Sequence, residues 1–102
     1  MDMLKFTSAM LDAIEHCASE AKIDSQWRPI CAADMRDAYD LLSRKLARND
    51  ADPTVQAKGV LISMGLDDNI SELQELLADH APESQITEKL QTILTTISHL
   101  RQ

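Results

Sequence analysis

Residues 86–100 read ITEKLQTILTTISHL, and Ile86, Leu90, Ile93, Ile97 and Leu100 recur at spacings of four, three, four and three. An alternation of that kind keeps one narrow apolar edge of a helix turned toward a partner helix. The edge either closes the protein's own core or docks on a second molecule. A homodimer through these five residues is the simplest form of the second case.

Upstream, Pro82 disfavours helical geometry at Ala81 and separates this helix from the one before it. Asn69, with Glu72 three residues later, reads as a capping box opening a helix whose Ile70, Leu73, Leu76 and Leu77 face inward. The short connection then predicts an antiparallel helical hairpin at the C-terminal end of the chain. Asp52-Pro53 is a further start signal, a side-chain acceptor followed by proline at the first helical position. That helix is expected to reach Met64 and to stop at a left-handed cap on Gly65. Gly59 inside it costs about 1 kcal/mol relative to alanine, a cost usually offset by the close approach of another helix.

Two helices precede Asp52. The first is expected from Met3 to Ala21, with Met3, Phe6, Met10, Ile14, Cys17 and Ala21 inward, Leu4, Leu11 and Ala18 widening the stripe, and Asp12, His16 and Glu20 in water. The second starts near Pro29 and runs to Arg48, with Cys31, Met35, Ala38, Leu42 and Leu46 inward. Asp40 and Arg44 are spaced to pair, Arg44, Lys45 and Arg48 suit the helix's negative end, and residues 49–52 close it. No segment alternates as a strand does. The fold expected for residues 1–102 is therefore one all-α domain, a compact bundle of four to five helices.

Composition agrees. Aromatic residues are 3 % of the chain, and two glycines and three prolines leave room for few turns, so the core is aliphatic and helical. A formal net charge of −7 argues against binding nucleic-acid backbone or anionic lipid. No apolar run approaches membrane-spanning length, and the N-terminal residues lack the pattern of an export signal, which points to the cytoplasm. Cys17 and Cys31 are too few for a disulfide framework and fit the core as small apolar residues.

Three features could carry function. Asp68, Glu72, Glu75 and Asp79, followed by Glu83, fall in a stretch between Lys58 and Lys89 that holds no Lys or Arg. They form either a solvated helix face or a docking surface for a basic partner. An acidic decoy for a nucleic-acid-binding protein is the extreme version, although residues 1–52 carry seven basic residues against ten acids. Thr92, Thr95 and Thr96 lie on the flank of the last helix, where charged residues are usual, so that flank is either covered or merely uncharged. Trp27 and Arg28 precede the second helix and are of the types that dominate interfaces, or else cap the core.

His16, His80, His99 and the two cysteines show no metal-ligand spacing. Neither a glycine-rich phosphate loop nor a nucleophile elbow is present. No catalytic, cofactor-binding or metal-binding residue is therefore assigned. The expectation is a non-enzymatic interaction protein: a small acidic adaptor, inhibitor or chaperone.

Overall fold

Residues 3–48 and 52–101 are described by a computed structural model, and they form four α-helices. Helix α1 spans Met3–Ile23, α2 Arg28–Ala47, α3 Pro53–Ala78 and α4 Glu83–Leu100, with a 3₁₀ turn at Ser25–Trp27 before α2. Each helix packs on its neighbours in the chain, and α4 returns against α1, which closes a four-membered ring around one aliphatic core. The radius of gyration of 13.6 Å is that of a compact domain of this length.

The starts obey side-chain chemistry. The Asp52 carboxylate accepts from the amides of Thr54 (2.9 Å) and Val55 (3.5 Å), with Pro53 beginning the helix as its missing N–H allows. Asp24 caps the 3₁₀ turn in the same way through the Gln26 amide at 3.0 Å. Of the residues expected to close α2, 49–51 lie outside the described residues.

One expectation fails at Gly65. The helix does not stop there, and Asn69 does not open another; α3 runs unbroken for 26 residues. Asn69 instead donates from Nδ2 to the Gly65 carbonyl four residues back (2.7 Å), while its Oδ1 accepts from Lys89 Nζ on α4 (3.2 Å). The reason Gly65 is glycine is packing. A Cβ there would lie 2.7 Å from Thr96 Cγ2, so the close approach of two helices falls at Gly65 rather than at Gly59. At Gly59 a Cβ would meet Leu46 at an ordinary 3.5 Å.

The left-handed residue that does end α3 is His80, at φ 54°. Its amide donates to Leu77 O (3.2 Å) and that of Ala81 to Leu76 O (2.9 Å), the paired bonds of a Schellman cap.

The repeated edge of α4 closes the chain's own core. Ile86, Leu90, Ile93 and Ile97 are buried in the single chain, and Leu100 packs against the same cluster. A dimer through these residues would require the bundle to open. At roughly 1.5–3 kcal/mol for each fully buried Ile or Leu, this edge outweighs any surface ion pair in holding the fold.

On α1 the buried line is centred on Thr7, Leu11, Ile14, Ala18 and Ala21. Met3, Phe6, Met10 and Cys17 flank it, and Leu4 is exposed. On α2, Ala32 and Tyr39 join the expected core residues.

Candidate interaction surface

Position along a helix fixes which side chains share a face, and α3 is long enough to show two chemistries on one face. Ala57, Val60, Leu61 and Met64 point away from the core, and after one further turn Asp68, Glu75 and Asp79 continue the same side. All seven are exposed, Val60 at 59 %, Leu61 at 57 % and Met64 at 76 % of their full surface. The outward face of α3 thus changes from aliphatic to acidic at about its midpoint.

Glu72 belongs to the flank. It is exposed but leans toward α4, where Lys89 pairs with it, so its charge is partly matched. Asp67, on the other flank, is held by Arg36 of α2 at 2.9 Å; the same guanidinium donates to the Asp67 carbonyl (3.0 Å) and to Ser71 Oγ (2.5 Å), and lies 5.5 Å from the centre of the Tyr39 ring. Arg36 also reaches Asp40 at 3.5 Å, so the partner of Asp40 is Arg36, four residues before it, rather than Arg44.

Beside the aliphatic half of this face, α2 and α3 bound a groove of about 450 Å³. Tyr39, Leu46, Val55, Gly59 and Met64 are among its walls, and among the described residues no charged one lines it. Hydrophobicity patterning from Val55 to Leu66 could indicate a helix, yet not this groove, because the groove depends on how α2 crosses α3.

Arg28 is not a surface residue. It is 4 % exposed, its Nε donates to the Ala21 carbonyl at 2.7 Å, and its two terminal nitrogens donate to both Glu83 carboxylate oxygens at 2.5 and 2.8 Å. The fork joins the end of α1 to the start of α4, so both residues, expected to be available to a partner, are spent on each other. The hydrogen bonds hold Glu83 below the ordinary carboxylate range and push Arg28 up. Trp27 is half exposed, and Ile23 and Ile30, near it in sequence, are also exposed.

On α4, Thr92 and Thr95 are exposed and Thr96 is half-buried over Gly65. The Thr92 hydroxyl donates to the Glu88 carbonyl at 3.0 Å, and Thr95 accepts from Gln91 at 3.2 Å. Thr92 and Thr95 thus bond along their own helix, and of the three only Thr96 is covered by packing.

Cys31 is buried and Cys17 half-buried, both as free thiols. Burial pushes both thiols up, which keeps them protonated and weakly nucleophilic near neutral pH. Among the described residues no group of three or more His, Cys, Asp or Glu side chains is placed to hold a metal ion, and no helix is long and apolar enough to cross a membrane. Compared with family models, with curated proteins and with solved structures, the chain matches none of them.

Proposed function

We propose that this protein is a non-enzymatic interaction module, a small adaptor, inhibitor or chaperone that binds a basic surface of another protein. We read α3 and α4 as an antiparallel hairpin that presents the acidic half of α3 to that partner. The observation that carries the reading is the placement of Asp68, Glu75 and Asp79, all exposed, on one outward face of α3. Complementary charge of this kind speeds encounter and selects partners more than it adds affinity.

A decoy for a nucleic-acid-binding protein is less favoured by the same geometry. Mimicry of a charged backbone needs acid spread over a surface, and here Lys89 and Arg36 offset Glu72 and Asp67 on the two flanks of the acidic face.

The test is capture from a lysate with the parent chain and with an Asp68→Lys, Glu75→Lys variant. A basic protein retained by the parent and lost by the variant, with helical circular dichroism unchanged, is the expected result. Equal retention by both would remove this face from the binding surface. Nucleic acid added as competitor separates the two readings, since only a decoy's target would be displaced by it.

A further inference from the structure

We propose that Cys17 on α1 and Cys31 on α2 form a dithiol site, which a small-molecule disulfide such as oxidised glutathione converts into one intramolecular disulfide. The placement follows from the helices. At 3.6 residues per turn, Cys17 lies roughly 140–160° around α1 from Asp12, Glu15 and Lys22. Those three reach α4, through Arg101 and Gln91, so Cys17 is on the flank of α1 turned away from α4 and toward its other neighbour, α2. Cys31 lies roughly 140° around α2 from Arg36, which is held by Asp67 and Ser71 of α3. It is therefore on the flank of α2 turned toward α1.

The two flanks also meet at the right height. Arg28, at the start of α2, donates to the Ala21 carbonyl and so sets the register of the two helices. Cys17 is four residues back along α1 from Ala21, about 6 Å, and Cys31 is three residues forward along α2 from Arg28, about 4.5 Å. Alanines line this contact, with Ala18, Ala21 and Ala32 all buried. A disulfide needs Cα atoms about 4.4–6.8 Å apart, and small side chains are what let two helices come that near. The thiols are within electrostatic reach of each other as well. Burial is the main cause that raises Cys17, and the Cys31 thiol is the next, ahead of Asp34.

Cys17 is half-buried and Cys31 buried, so Cys17 reacts first. Its sulfur loses its proton and attacks one sulfur of the glutathione disulfide; that S–S bond breaks and one glutathione leaves as a thiolate. Cys31 Sγ then loses its proton and attacks Cys17 Sγ, and the second glutathione leaves in the same way. Two cysteine thiols are oxidised, one glutathione disulfide is reduced, and the two protons released end on the two glutathione sulfurs. Burial and the carboxylates of Asp34, Glu20 and Asp24 keep both cysteines protonated near neutral pH, so the exchange is slow there. The bond fastens α1 to α2 and does not involve the acidic face of α3.

The test treats the folded full chain with excess oxidised glutathione at about pH 9, where an ordinary cysteine is mostly ionised and a raised one partly so. Intact mass and free thiols are read. The expected product is a monomer lighter than the parent by two hydrogens, with no free thiol, unchanged helical circular dichroism, and both thiols restored by dithiothreitol. A Cys31→Ala, Ile30→Cys chain moves the second thiol to an exposed position about 100° around α2, and it should carry glutathione on both sulfurs instead of closing. A parent that stays reduced, keeps glutathione without closing, links to a second copy, or closes only with loss of helix would overturn the proposal. So would a Cys31→Ala, Ile30→Cys chain that closes as fast as the parent.

Discussion

Gly65 on α3 and Thr96 on α4 approach so closely that a methyl group on Gly65 would lie 2.7 Å from the Thr96 methyl. Real carbon atoms do not sit that close, so the two helices are held at a spacing that only glycine permits.

Gly65→Ala should therefore destabilise the protein by about 1–3 kcal/mol, the usual range for overpacking, even though alanine is the better helix former. Gly59→Ala should do the opposite. Its new methyl meets Leu46 at 3.5 Å, an ordinary contact, and stiffening the unfolded chain contributes about 0.4–1 kcal/mol. Thermal denaturation of both variants checks the pair. Thr96→Ala should recover much of the Gly65→Ala loss, since it removes the methyl that the new Cβ strikes. Equal effects at the two glycines would mean that α3 and α4 are not in close approach at this point.

Why the sequence misplaced this contact is instructive. A glycine four residues before an Asn-x-x-Glu pattern has the same appearance whether it ends a helix or lets a second helix come near. The deciding atom belongs to Thr96, 31 positions away, and no local pattern connects the two. The aliphatic edge of α4, by contrast, was legible because its spacing alone specifies one buried side. The cap at Asp52 was legible because its partners, the Thr54 and Val55 amides, lie within the next three residues. The acidic face was half legible: the periodicity grouped four acids, but Lys89 withdraws Glu72, and Arg28 withdraws Glu83, through contacts distant in sequence. The aliphatic half of that face was missed because Val60, Leu61 and Met64 look like core until the fold shows which side of α3 is covered.

Helix continuity through residues 65–69 has its own test. Were Asn69 a helix cap, Asn69→Ala would cost about 1 kcal/mol. Inside a continuous α3 it loses the part-buried link to Lys89 and the Nδ2 bond to the Gly65 carbonyl, which the helix's own backbone bonds still satisfy, and it gains helix propensity, so the net change should stay within about 0.5 kcal/mol. At the true end of α3, His80→Gly should stabilise by about 0.5–1 kcal/mol, because glycine takes the left-handed conformation without the crowding that a Cβ brings. Denaturant titration of the two variants measures both. A costly Asn69→Ala with a neutral His80→Gly would return the helix end to Gly65.

The bond between Arg28 and Glu83 predicts how stability responds to acid. Glu83 is held below its ordinary range in the folded chain, so the unfolded chain takes up the proton first as pH falls. Its contribution is thus complete above the ordinary glutamate pKa of about 4.3 and fades as pH drops through the lower folded value. Glu83→Gln should accordingly be less stable than the parent at neutral pH, with the difference shrinking below about pH 4. Arg28→Met removes more than the ion pair. It also strips the buried Ala21 carbonyl of its 2.7 Å donor, and an unsatisfied buried acceptor costs about 1–3 kcal/mol. That part of the loss has no titrating group behind it, so the Arg28→Met deficit should persist as pH falls while the Glu83→Gln deficit shrinks. Urea denaturation of the three chains at pH 7 and pH 3 measures both, and a single common pH dependence would mean that Arg28 acts through Glu83 alone.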